Sequence, residues 1–162
     1  MPEIELHALD EELLSRLLDA AVKDADPVEV MPPLEGPAGW TSERRAAFVR
    51  FHRTRSLSSN PVETTYAIVV DGTVVGAARL ARLDDAEHVV EAGIWLGRSH
   101  RGEGTGTVVI KKLAALARNA GARRLFASTT ADNAPAQRLL AIIDADVTHT
   151  DCDVTAWIDL SA

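Results

Sequence analysis

Three glycines at alternate positions, Gly102, Gly104 and Gly106, lie within Arg98-Ser-His-Arg-Gly-Glu-Gly-Thr-Gly-Thr107, between an apolar segment and a long amphipathic pattern. Glycine lets backbone turn tightly and approach a ligand with no Cβ in the way. Successive N–H groups at the start of a helix form an anion site that suits a pyrophosphate. The stretch is therefore read as a loop that holds a phosphorylated cofactor. Its spacing excludes two such loops. A dinucleotide fingerprint counted from Gly102 would need a glycine where Thr107 stands, and a nucleotide-binding P-loop would need Lys-Ser/Thr where Gly106 is followed by Thr107 and Val108. The pattern that fits is R/Q-x-x-G-x-G/A, read as Arg101-Gly102-Glu103-Gly104-Thr105-Gly106. Just upstream, Glu91-Ala-Gly-Ile-Trp-Leu96 leads into the loop, and alternation puts Glu91, Gly93 and Trp95 on one face of a strand. The five histidines are scattered without ligand spacing, so no metal site is expected.

The elements that must position this loop follow from periodicity. Ile4 to Leu9 alternates as a strand, Asp10 is a helix cap, and Leu13, Leu14, Leu17, Leu18, Ala21 and Val22 repeat at helical spacing. Residues 27–40 hold four of the seven prolines and two glycines, which predicts a long loop. Thr41 or Ser42 caps a second helix with Ala47, Phe48 and Phe51 inward and Arg44, Arg45, Arg50, Arg53 and Arg55 outward, and residues 56–61 break the pattern. Asp71-Gly72 between apolar runs 66–70 and 73–80 marks a tight hairpin, and a third strand runs from about His88 to Leu96. After the glycines, Val108 to Ala120 reads as a helix stopped by Gly121, followed by a strand over 124–130 and a helix capped by Asp132 or Asn133. Two more strands are expected, at 146–149 and 154–160.

A length of 162 residues, with 46% hydrophobic and 25% charged residues, fits one soluble domain. No apolar run approaches a membrane span and the N-terminus lacks a secretion signal, so a cytoplasmic location without membrane contact is expected. Cys152 is the single cysteine. The net charge of −7 is distributed in blocks: residues 1–35 carry ten acids and two bases, while residues 97–124, around the glycines, carry seven bases and one acid. The basic block suits a cofactor with several phosphate charges, and the acidic ends favour a cationic substrate over nucleic acid.

The glycine loop with the preceding Glu91–Leu96 segment resembles the acetyl-CoA loop of the GNAT superfamily of N-acetyltransferases. The resemblance is specific from about Tyr66 to Asn133. It implies an α+β GNAT fold with a mixed, mostly antiparallel central sheet flanked by helices, and acetyl-CoA as co-substrate. It further implies that Ile94, Trp95 and Leu96 take the pantetheine arm and that Arg101, Gly102, Glu103, Gly104, Thr105, Gly106 and Thr107 hold the pyrophosphate. Asn133 matches the family residue on the pantetheine side, or it simply caps a helix. Family chemistry is attack of a neutral amine on the thioester, which makes Glu91 the candidate base, or else a strand carboxylate that faces solvent or pairs with an arginine such as Arg79; the acidic ends and the Pro-rich loop with Met31 and Trp40 make the amine of a small cationic molecule the expected acceptor. A protein N-terminus or lysine, or CoA binding without turnover, are the alternative readings, and a homodimer is the expected assembly. Leu140 stands where the family commonly has the Tyr that protonates the departing thiolate, and Asp144-Ala145 stand where it has Gly-Phe.

Overall fold

Strand β1 (Ile4–Ala8) leads to Asp10, whose carboxylate accepts from Leu13 N at 2.8 Å and opens helix α1 (Glu11–Asp24). The acids Glu11 and Glu12 in its first turn and Lys23 in its last complement the helix dipole. Leu14, Leu17 and Ala21 form its buried stripe. A short helix α2 (Pro27–Val30) and helix α3 (Ser42–His52) precede β2 (Glu63–Val70), β3 (Thr73–Arg82) and β4 (Val89–Leu96). Helix α4 (Thr105–Asn119), β5 (Arg124–Thr130), α5 (Ala134–Ile142), β6 (Asp146–His149) and β7 (Asp153–Asp159) complete the chain. The computed structural model describes residues 2–83, 88–131, 133–143 and 145–160.

The strands form one sheet in the order β1-β2-β3-β4-β5-β7-β6. Every pairing is antiparallel except β4 with β5. The β2–β3 turn is the expected Asp-Gly hairpin, with φ of 49° at Asp71 and 82° at Gly72. A bulge shifts the register between Ile68 and Val69, which pair with Gly76 and Val74.

Both faces of the sheet centre are covered, so β3 reads as a nearly continuous apolar run from Val74 to Ala78. On one face, Ala67, Val69, Val74 and Ala77 pack with Leu14, Leu17 and Ala21 of α1 and Phe48 of α3. On the other, Ile68, Val75, Ala78, Ala92 and Leu125 pack with Val109, Ile110, Leu113 and Ala117 of α4. The two cores fix the sheet as a wall between helix layers, an α+β arrangement.

Three expectations need correction. Residues 27–40 are not all loop: Asp26 and Glu29 close a capping box, and Pro27 occupies the first turn, where its missing N–H costs nothing. The polar run after α3 does not end it at once, because a π-helical turn continues over Arg53–Leu57. Nor is the arginine face of α3 wholly solvated: Arg44 binds the carbonyls of Leu34 and Gly39, and Arg55 pairs with buried Glu63. Asp132 and Asp144 lie outside the described residues.

Gly76 marks a tight approach of β3 and β4, since a Cβ there would sit 2.1 Å from the Trp95 carbonyl oxygen. Backbone cannot yield as a side-chain tip can. Gly76→Ala should lower unfolding free energy by about 1–3 kcal/mol, the usual range for an overpacked core site, measured as a lower urea midpoint at unchanged slope.

Candidate functional site

Strands β4 and β5 are parallel partners only over Val89↔Arg124, Val90↔Leu125 and Glu91↔Phe126. Beyond that point β4 keeps β3 on one side, down to Gly76↔Leu96, while β5 continues alongside β7 to Thr130↔Asp153. Among the described residues no strand pairs with the second side of Ala92–Leu96, and the backbone of Ala92–Trp95 is open there to an extended ligand. Ala92, Ile94 and Leu96 face the α4 core, while Trp95 packs on the α1 side of the sheet.

At the open end of β4 a single helical turn, Arg98–His100, leads into the glycines. Gly102 and Gly104 take φ of 79° and 83°, and a Cβ at either would meet nothing within 4 Å, so conformation rather than crowding requires glycine there. Gly104 is the N-cap of α4 and supplies no side-chain cap, which leaves the first N–H groups of the helix without intrahelical partners. Such a cradle fits a pyrophosphate. It is pinned from the N-terminal half of the chain. Asp24 accepts from Ser99 N at 3.1 Å and from Ser99 Oγ at 2.6 Å. Glu29 binds Arg98 Nη2 at 3.0 Å and Arg101 Nη2 at 2.8 Å, and Arg101 Nε donates to the Leu96 carbonyl at 3.0 Å. The Ser99 hydrogen bonds hold the Asp24 carboxyl below its ordinary range. Burial pushes Glu29 up, but the Arg101 bond, the Asp26 N–H and the two guanidinium charges outweigh it and leave it lowered.

A cleft of about 350 Å³ opens beside this edge, between Glu29–Pro32, the end of α3 and strands β3 and β4, with Ser128 of β5 at its border. Val30, Met31, Phe51, Ala77 and Trp95 give it apolar walls. Arg79 and Glu91 line it, and Glu63 with Arg55 stands next to Arg79. Glu63, its side chain only 2% exposed, pairs with Arg55 and lies 3.8 Å from Arg79 Nη1; Arg79 Nη2 lies 3.5 Å from Glu91 Oε1. His52 is buried beside them, edge-on to Phe48 and Phe51, and its Nε2 has no hydrogen-bond partner. Burial lowers the His52 pKa to about 4, so the ring is neutral at pH 7.

Of the residues singled out in the sequence, the structure brings Glu91, Ile94 and Trp95 to the cleft and Arg101–Thr107 to the adjoining loop and helix start. Asn133 caps α5, its Oδ1 accepting from Ala136 N at 3.2 Å. Leu140 is buried with Val154 and Ala156. Tyr66, the one tyrosine of the sequence, packs against the α4-side core rather than lining the cleft. Glu29, His52, Glu63 and Arg79 are functional candidates that went unremarked or were treated as bystanders. His52 carried a readable signal, four residues after the inward Phe48 on the same helical face. Glu63 carried another, sharing the inward parity of Thr65, Ala67 and Val69. The cleft opens against β3 and β4. Among the described residues no cluster of histidine, cysteine or carboxylates could hold a metal ion, and no helix is long and apolar enough to cross a membrane.

Residues 29–142 match the family model described as Acetyltransferase (GNAT) family. No curated protein matches the chain by sequence. Among solved structures, an N-acetyltransferase from Staphylococcus aureus Mu50 superposes with a TM-score of 0.68 at 17% identity, over 98% of this chain and 99% of that one. The N-acetyltransferase PseH of Campylobacter jejuni, solved in complex with acetyl coenzyme A, gives 0.66 at 12% identity over 98% and 100%. A dodecameric spermidine N-acetyltransferase from Vibrio cholerae gives 0.70 at 15% identity over 98% and 94%. At such identities the likeness is one of fold.

Two measurements test the site. Gly104→Val forces a β-branched residue into left-handed backbone at the cradle and should weaken acetyl-CoA binding by more than about tenfold, roughly 1.4 kcal/mol. Gly106→Ala, whose Cβ would meet Leu139 and Leu96 at 3.6 and 4.0 Å, should bind within about threefold of the parent; titration calorimetry reads both. Separately, because His52 is harder to protonate folded than unfolded, the folded state binds fewer protons between about pH 6.5 and about pH 4. Stability should therefore fall on acidification through that window, by up to about 3 kcal/mol from this group. His52→Phe, compared with the parent by urea unfolding at pH 7.5 and 4.5, should show a smaller acid loss.

Proposed function

The chain belongs to the acetyltransferase (GNAT) family, and on that premise we propose that it moves an acetyl group from acetyl-CoA to the primary amine of a small molecule that arrives as an ammonium cation. The observation that carries this reading is the juxtaposition of the glycine cradle, the unpaired edge of β4 and a cleft whose floor presents the Glu91 carboxylate. Bound acetyl-CoA supplies a thioester whose carbonyl carbon accepts the amine and whose sulfur leaves as a thiolate. The chain's own groups do the rest. The N–H groups at the start of α4, with Gly102 and Gly104, hold the pyrophosphate, and the backbone of Ile94–Leu96 aligns the pantetheine arm. A lysine-like ammonium has a pKa near 10, so a proton must be taken before nitrogen can attack. Glu91, on the cleft face at the point where β4 leaves β5, takes it directly or through one water. The C–N bond then forms as the C–S bond breaks, and the second proton released by the nitrogen passes to solvent. Leu140 offers no acid for the departing sulfur, and a thiolate with a pKa near 8.5 by analogy with cysteine can take its proton from solvent.

The acidic character of residues 1–35 supports an acceptor that brings positive charge, as does the spermidine enzyme among the fold neighbours, at the level of analogy. Glu91→Gln keeps the shape and removes the base. It should lower kcat/KM on the order of 10²-fold while calorimetric acetyl-CoA affinity stays near that of the parent, and raising pH should recover part of the loss by supplying neutral amine. A Gln variant within threefold of the parent at neutral pH would retire Glu91 as the base.

A further inference from the structure

We propose that Arg79 and Glu91 are the two halves of an acceptor subsite for a zwitterion, an amine whose own carboxylate sits on the adjacent carbon, with an apolar side chain. The inference rests on the acetyltransferase reading above and names the acceptor class. Arg79 on β3 is the cross-strand partner of Gly93 on β4. A Cβ at Gly93 would lie 2.7 Å from Arg79 Nε and 3.1 Å from its Cζ, so the missing side chain is what lets the guanidinium lie across β4 and reach the cleft.

The energetics say which contacts can open. The Arg79–Glu91 separation of 3.5 Å is at the outer limit of a hydrogen bond, and both side chains are about one-third exposed, at 36% and 30%. A pair of that kind contributes little to stability. Glu63 is far more buried, but Arg55 is its close partner and Arg79 stands off at 3.8 Å. Arg79 can thus turn from Glu91 to a ligand carboxylate at small cost. The same exchange frees Glu91 Oε1 to face the ammonium, so the ligand uncovers the base that deprotonates it. A polycation finds less here. Each carboxylate on the cleft already faces arginine: Glu29 has Arg98 and Arg101, and Glu91 has Arg79. The neutral His52 adds no charge. What remains is one cation and one anion side by side against Val30, Met31 and Phe51, complementary to an amino acid with an aliphatic, thioether or aromatic side chain.

The test compares kcat/KM for L-leucine, L-methionine and L-phenylalanine with that for the corresponding decarboxylated amines and for spermidine, all with acetyl-CoA. The expected result is at least a tenfold preference for amino acid over its decarboxylated partner. That ratio should fall at least tenfold in Arg79→Gln and be partly restored in Arg79→Lys, with thermal melts confirming that each variant is folded. Should Arg79→Gln prove unfolded, the preference of the parent enzyme alone decides. A parent that favours the decarboxylated amines or spermidine overturns the subsite and leaves the acetyltransferase reading intact, as does an Arg79→Gln variant that slows both partners equally. Failure of the parent to bind acetyl-CoA in calorimetry overturns both.

Discussion

The parting of β4 from β5 after Glu91↔Phe126 is the constraint on which the site depends. Backbone N–H and C=O groups inside a sheet are normally all paired, so a strand that loses its neighbour midway needs a reason and a replacement. The reason lies on both sides. β4 is held to β3 over seven consecutive pairs and β5 to β7 over seven, and neither ladder can be abandoned to close the gap. The replacement is an extended ligand arm, which can join β4 as a strand would. The glycine cradle stands at the end of the same edge because β4 runs through one turn directly into it. One geometric event therefore creates the arm site, the phosphate site and the mouth of the cleft.

The charge blocks of the sequence become, in the fold, each other's partners. Asp24 and Glu29 from the acidic N-terminal block engage Ser99, Arg98 and Arg101 of the basic loop, and Glu11 of α1 binds Arg53 beyond α3. Two carboxylates of that block, Asp24 and Glu29, are thus committed to tying the loop down. The exposed members, such as Arg53 with Glu11, contribute little to stability, about 0–1 kcal/mol each. Their value is positional. Gly97 shows this, because a Cβ there would fall 2.3 Å from the Asp24 carboxylate, so even the residue before the loop is shaped to let the N-terminal half grip it.

How much of this was legible depends on whether the signal is local. The loop, the Asp71-Gly72 hairpin, the α1 stripe and the Thr41 cap rest on residues within one turn of each other, and the structure places them as read. Helix α2 had a local signal too, the Asp26-x-x-Glu29 box, but the surrounding prolines outweighed it, although Pro27 belongs in a first turn. The pairing of Glu63 with Arg55 and Arg79 was beyond local reading. Strand parity could turn Glu63 inward, but Arg55 is eight residues from it and Arg79 arrives from another strand through hairpin register, so its partners could be foreseen only with the pairing in hand. Asn133 caps α5 through its side-chain oxygen, a role that its place just before Ala134 made locally readable.

Two glycines on adjacent strands, Gly76 and Gly93, look alike in sequence and answer to different physics. Gly76 is required by backbone: its neighbour is the Trp95 carbonyl, which belongs to the β3–β4 ladder and cannot move aside. Gly93 is required by a side chain, and a side chain can move. A methyl group at 93 would not break the sheet; it would push the Arg79 guanidinium off β4, away from Glu91 and out of the cleft. The stability of the fold would change little, since the displaced Arg79–Glu91 pair is about one-third exposed and long. The cleft would not be indifferent, because the Arg79 guanidinium that lines it lies where Gly93 leaves room for it. The glycine between Glu91 and Trp95 is thus better understood as part of the site's charge arrangement than as part of its scaffold.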